Sequence, residues 1–205
     1  MKNKGLGVLL IIMILWVSAC GQKDNQTPDY REQYRTSVFL GDSITEGLSY
    51  HDVLNEDSVL AGAGKTAEFT LMEDDVDQLV ARKPEHVFIH LGSTDILWPT
   101  DHPKEYSLTH YEQLIDAIQS KIPDATLSLL SVTPVTAHAE QQEPRYRNIK
   151  DYNEGLQALA EKKQVQFIDL TTLVADHNDL YDTDGIHFQA AFYPVFLDYL
   201  NGLSK

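Results

Sequence analysis

A three-layer α/β/α sandwich around a parallel sheet is the fold class the sequence predicts, and three observations predict it. Apolar segments of four to eight residues alternate with longer segments whose apolar residues recur every three or four positions, the patterns of strand and helix in turn. The short segments are nearly continuous apolar runs, as strands are when helices cover both faces of a sheet. The 205 residues, 42% hydrophobic and 23% charged, suit one globular domain and exclude a disordered or collagen-like chain.

Taken in order, residues 1–4 are basic, residues 5–17 almost wholly apolar, and Val17-Ser18-Ala19-Cys20 ends the run, the order of an export signal. The run is shorter than the roughly 20 residues a helix needs to cross a bilayer. Val-Ser-Ala-Cys is similar to the lipobox of bacterial lipoproteins. That resemblance implies that residues 1–19 are a signal peptide, that Cys20 is lipidated and that residues 20–35 form a polar tether before a domain over 36–205. Two acyl chains anchor stably where one is marginal, so the mature protein is expected on the outer face of a bacterial cell membrane, held by lipid alone. Thirty-one Asp and Glu against sixteen Lys and Arg give a formal charge of -15, which argues against nucleic acid as a partner. The single cysteine excludes a disulfide framework and a thiolate metal cluster within one chain.

Beyond the tether, residues 38–41, 58–62, 86–92, 125–132 and 166–170 read as five strands rich in β-branched and aromatic residues. Leu114, Ile115, Ile118 and Ile122 form one helical stripe. Ile149, Tyr152, Leu156, Leu159 and Ala160 form another, Phe192, Phe196, Tyr199, Leu200 and Leu203 a last one, and residues 71–80 read as a further helix. The acids of Glu73-Asp74-Asp75-Val76-Asp77 read as a solvated helix face.

Ligands of parallel sheets collect at the carboxyl ends of strands. The first strand ends in Gly41-Asp42-Ser43-Ile44-Thr45, placing a hydroxyl on the turn into a helix, where it is either a nucleophile or a helix cap. The second ends in Gly62-Ala63-Gly64-Lys65-Thr66, which imitates a phosphate-binding P-loop. That motif needs a glycine where Val59 stands, so no nucleotide is expected. The third ends in Gly92-Ser93-Thr94-Asp95, followed by the apolar Ile96-Leu97-Trp98-Pro99. Before the last helix, Asp182-Thr183-Asp184-Gly185-Ile186-His187 puts an acid three residues from a histidine, where a carboxylate can fix the imidazole tautomer.

These four strand ends, in this order, resemble the SGNH hydrolases, also called the GDSL esterase family. The resemblance implies a flavodoxin-like five-stranded sheet and an esterase without a cofactor, in which Ser43 attacks an acyl ester, His187 is general base and acid, and Asp184 orients His187. It also implies an oxyanion hole from the N–H groups of Ser43 and Gly64. Gly64 is preferred over Gly62 because the family's glycine precedes Asp-Thr and Gly64 precedes Lys65-Thr66. The family's third motif supplies an asparagine where this chain has Thr94, a shorter donor that enters the expected hole in its place. With no long apolar insertion, short acyl chains are expected, O-acetyl groups of envelope glycans among them. Asp42, Trp98 and Tyr50 are the expected pocket residues, with Tyr50, Trp98 and Tyr106 open to either sugar stacking or core packing. A non-catalytic ester- or glycan-binding protein on the same fold is the alternative that Thr94 raises. The remaining histidines lack metal-ligand spacing, and no metal is expected.

Overall fold

The computed structural model describes residues 28–203. The export signal, Cys20 and the first half of the tether, residues 20–27, lie outside them. The described chain opens with α1 (Tyr30–Gln33), β1 (Ser37–Gly41), α2 (Ser43–Tyr50), β2 (Val59–Ala61), α3 (Ala67–Met72), α4 (Asp75–Arg82) and β3 (His86–His90). It continues through α5 (Pro103–Lys121), β4 (Thr126–Leu130), α6 (Ala137–Gln142), α7 (Ile149–Lys163), β5 (Gln166–Ile168), α8 (Thr171–Asp176) and α9 (Phe192–Leu203). The five strands form one parallel sheet in the order β2-β1-β3-β4-β5. No helix among the described residues is long and apolar enough to cross a membrane.

Side-chain alternation along the strands divides the interior into two layers. Val38, Leu40, Val87, Ile89, Leu127 and Leu129 face the side covered by α3, α4, α5 and α7, where Leu114, Ile115, Ile118, Tyr152 and Leu156 meet them. Phe39 and Phe88 face the other side, stacked with ring centroids 4.8 Å apart, under α2, α8 and α9. The expected sandwich is thus present. Tyr30 and Tyr34 are buried in this second layer, and the Tyr34 hydroxyl donates to the Leu197 carbonyl at 2.6 Å. The packed domain therefore starts within the segment assigned from sequence to the tether, because two aromatic rings there reach the core.

Two further details depart from the sequence reading. Residues 71–80 form two helices, since Glu73 takes an extended conformation after α3. Asp75 lies on the buried face of α4 with Val76 and Leu79, against Lys65, and is no part of a solvated face. Strands β2 to β5 stop one or two residues short of their expected carboxyl ends, where turn geometry takes over; at Gly92, φ is +130°.

The sheet's strand order reverses at β1 and β3, so the crevice outside their carboxyl ends is the natural ligand position. Gly41 is required there. A Cβ on it would stand 2.2 Å from Thr45 Oγ1 and 2.5 Å from the His90 carbonyl oxygen, a backbone atom that cannot yield cheaply. Gly41→Ala is expected to lower stability by about 1–3 kcal/mol through overpacking, as read from chemical denaturation. Gly62→Ala, whose new methyl would only touch the Lys65 stem at 3.5 Å, should cost much less. Equal costs would place the constraint elsewhere.

Candidate active site

The site is built from three strand ends and one late turn. After β1 the chain turns at Asp42, which caps α2: its Oδ1 accepts the Ile44 N–H at 3.1 Å. Ser43 is thereby the first residue of α2, half-buried at the crevice, with its own N–H bonded to no described residue.

Asp42 Oδ2 reaches across to the turn after β3 and accepts from Ser93 N–H at 3.2 Å and Ser93 Oγ at 2.6 Å. Asp42 is 1% exposed. It lies beneath the site and lines no pocket there, contrary to the sequence expectation, because all its bonding capacity is turned inward to hold two loops together. Burial pushes its carboxyl up to about 6, against the opposing pull of the Ser93 and Ile44 donors.

The partner of Ser43 arrives 144 residues later. His187 Nε2 lies 2.8 Å from Ser43 Oγ, and its Nδ1 lies 2.5 Å from Asp184 Oδ2. With Nδ1 donating to the carboxylate, Nε2 is left to accept the serine proton. Asp184 Oδ1 accepts the N–H groups of Ile186 and His187 at 2.8 and 2.9 Å, folding acid and imidazole into one tight turn. Partial burial works against ionisation of Asp184, but the bond to His187 and these two donors hold its pKa below the ordinary value. Gly185 makes the turn possible at φ +71°, with a Cβ position only 2.0 Å from Thr136 Oγ1. The Thr136 N–H donates to the Gly185 carbonyl at 2.9 Å and docks the turn on the loop after β4.

The structure also separates the two glycines after β2. Gly62 donates its N–H to the Gly41 carbonyl at 3.3 Å, whereas the N–H of Gly64, exposed at φ +76°, is donated to no described residue. Thr94 is half-buried at the head of the short helical turn Asp95–Leu97. Asp95 itself is buried, with Oδ1 accepting from Ala67 N–H at 3.1 Å and Ser107 Oγ at 2.6 Å. Its Oδ2 is buried without a partner among the described residues. Burial pushes Asp95 up to about 6, against the Ser107 and Ala67 bonds.

A groove of about 280 Å³ runs from Ser43 along α2, past Glu46 and Gly47 to Tyr50 and His51, with Ala63, Asp182, His187, Phe188 and Tyr193 completing its walls. Tyr50 is 81% exposed at its far end, edge-on to His51 at 5.0 Å. Trp98, expected beside it, is elsewhere: it packs edge-on against Phe69 at 5.2 Å and borders a small void with Tyr106, whose hydroxyl donates to Glu68. The apolar loop after β3 folds onto α3 instead of onto the Ser43 groove.

Ser93, Ser107, Thr136 and the groove residues Glu46, His51, Asp182 and Tyr193 were not singled out from sequence. Only the groove members on α2 carry a sequence signal, their three- and four-residue spacing from Ser43. Among the described residues no cluster of three or more His, Cys, Asp or Glu could hold a metal ion.

Residues 39–194 match the GDSL-like lipase/acylhydrolase family. Among solved structures, a GDSL-like lipase from Bacteroides thetaiotaomicron superposes with a TM-score of 0.67 at 17% identity, covering 87% of this chain and 90% of that one. An acetylxylan esterase from Geobacillus stearothermophilus gives 0.62 at 16% identity, covering 82% and 93%. A lipase/acylhydrolase from Enterococcus faecalis gives 0.62 at 18%, covering 81% and 95%. No curated protein matches by sequence.

The buried carboxyls set a pH dependence. Both folded-state pKa values lie near 6, above the ordinary 3.8, so between about pH 4 and 6 the folded protein holds protons that the unfolded chain has released. Stability from these groups is full below about pH 4 and is lost as pH rises through 6. For the fully buried Asp42 the shift corresponds to on the order of 3 kcal/mol. Asp42→Asn should flatten the rise in stability on acidification from pH 7 to 5, as followed by denaturant titrations across that range. An unchanged slope would mean that Asp42 stays ionised.

Proposed function

The chain belongs to the GDSL-like lipase/acylhydrolase family and is an ester hydrolase; from that premise we propose that Ser43, His187 and Asp184 are its catalytic triad and that its substrates are short acyl esters of hydroxyl-rich alcohols. The observation that carries the triad is the unbroken line from Ser43 Oγ through both ring nitrogens of His187 to Asp184.

In this reading Ser43 Oγ attacks the acyl carbon while its proton passes to His187 Nε2, and Asp184 stabilises the imidazolium that forms. The carbonyl oxygen, now negative, sits between the N–H groups of Ser43 and Gly64, the first of them at the positive end of α2. Collapse expels the alcohol, which takes the proton from Nε2 and leaves an acyl-enzyme. His187 then draws a proton from water, which attacks the acyl carbon; the Ser43 Oγ–acyl bond breaks, Nε2 returns the proton to Oγ and the carboxylic acid leaves. Thr94 offers a hydroxyl where the family pattern has an amide. Losing one fixed donor costs about 10²–10³ in turnover, which leaves more of the charge to the two backbone groups.

The groove supports the substrate class. Seven residues of helix separate Ser43 from Tyr50, about 10 Å at 1.5 Å per residue, room for one compact arm of an ester. Its walls mix aromatic rings with Glu46, Asp182 and His51, so a sugar ring can stack on the rings while its hydroxyls meet the polar groups. The fold shared with an acetylxylan esterase agrees with acetyl esters of glycans as substrates.

The test takes residues 21–205 with a fluorophosphonate probe, intact-mass readout and Ser43→Ala and His187→Ala controls. One adduct on wild type, absent from both variants, is expected. Hydrolysis of 4-nitrophenyl acetate should exceed that of the dodecanoate at least tenfold, and Tyr50→Ala should raise KM for acetylated xylan while sparing 4-nitrophenyl acetate. No adduct on the folded domain would overturn the role of Ser43, and a preference for dodecanoate would overturn the substrate class.

We also propose that the mature chain is lipid-anchored through Cys20 outside the cytoplasm, a reading supported by the order of basic, apolar and small residues before it. In a bacterial host the full chain should fractionate with membranes, and Cys20→Ser should not carry lipid. A mature protein without lipid on Cys20 would refute the anchor.

A further inference from the structure

The segment that carries Gly64 poses a physical problem. Residues 62–66 cross the carboxyl edge of the sheet from β2 to α3, and Gly64 has no heavy atom within 4 Å of where its Cβ would be. Packing does not hold it. Its φ of +76° and its exposure leave its N–H direction to whatever fixes its neighbours. One neighbour is Lys65.

The Lys65 N–H closes the turn onto the Gly62 carbonyl at 3.2 Å, and its side-chain stem folds back over Gly62, with Cε 3.5 Å from that residue's Cβ position. The ammonium then enters a half-buried niche, 18% exposed, formed by the break between α3 and α4. Glu73 Oε2 meets it at 3.0 Å, and Asp75, whose side chain is only 4% exposed, meets it directly. Burial opposes the charge, but the bonds and charges of Asp75 and Glu73 keep the Lys65 pKa above its ordinary value. An ion pair taken out of water adds little net stability, and such pairs are best attested as devices that specify one conformation over others. Here the pair joins the turn to the junction of two helices. The far end of the segment is fixed separately, where Asp95 accepts the Ala67 N–H.

We propose that Lys65 is a positioning residue for ester hydrolysis: its ammonium, held by Asp75 and Glu73, locks the turn over residues 62–65 so that the Gly64 N–H faces the oxyanion. The proposal rests on the reading of Ser43 and Gly64 as the oxyanion donors. It gives the break between α3 and α4 a purpose, since Glu73, extended at the break, and Asp75, in the first turn of α4, both reach Lys65. It also bears on Thr94, because with no amide at that position a larger share of the charge falls on an N–H whose direction Lys65 sets.

The test compares wild type with Lys65→Met, Lys65→Arg and Asp75→Asn, each checked by circular dichroism. For 4-nitrophenyl acetate, Lys65→Met and Asp75→Asn should lower kcat by about 10–100-fold with KM within about twofold, the signature of an interaction lost in the transition state alone. Lys65→Arg should recover most of the loss. Independently of turnover, the Gly64 amide order parameter from NMR relaxation should fall from the rigid range near 0.85 to below about 0.6 in Lys65→Met and Asp75→Asn. If Gly64 stays rigid in both, or kcat is unchanged, the clamp is overturned; a failure of Lys65→Met to fold leaves Asp75→Asn to decide by the same two readouts. If Gly64 loosens in the variants but wild type turns over no ester, the clamp stands and the esterase reading of Ser43 falls.

Discussion

The site depends on one buried carboxylate. Asp42 joins the turn after β1 to the turn after β3, across the point where the strand order reverses. Its Oδ1 sets the start of α2 and hence the direction of Ser43; its Oδ2 sets the turn that leads to Thr94. A carboxylate suits this role because it offers two acceptors and no donor to three groups that only need to give. The cost is a carboxyl removed from water, tolerated because its lone pairs are occupied.

Asp95 repeats the device one layer away, tying the turn after β3 to the start of α3 and, through Ser107 and Tyr152, to α5 and α7. The two acids lie close enough for Asp42 to raise Asp95 further. Ser43 and His187 thus sit half-buried on a rim whose foundation is buried, polar and braced from two strands. Glycine serves the same end wherever loops must approach more closely than a Cβ permits, as at Gly41 against His90 and at Gly185 against Thr136.

The fold was legible in the sequence because each strand is a short apolar run and each long helix a clear stripe, patterns that burial alone dictates. Ser43, Asp184 and His187 could be singled out because a serine after the first strand and an acid three residues before a histidine ahead of the last helix resemble the family pattern in order and placement. What escaped was set by tertiary contact. Nothing local in Tyr30 or Tyr34 says that they pack under α9, and nothing in Trp98 says that Phe69, rather than the groove, is its partner. Nothing local shows that Asp42 turns inward instead of lining a pocket, since that turn depends on Ser93, 51 residues away. The acidic run after Met72 looked like solvent-facing helix because its partner Lys65 belongs to a different motif, one that imitates a phosphate loop.

The order of the chain has a consequence in time. Asp184 and His187 share one turn and form their pair as soon as that turn closes, but Ser43 lies 144 residues upstream and meets the imidazole only when α9 has docked against β1 and α2. A chain made from its amino end forms the first strand and its serine long before His187 exists. The line from Ser43 through His187 to Asp184 is therefore complete only once the last described helix is in place, so the final packing event also assembles the site.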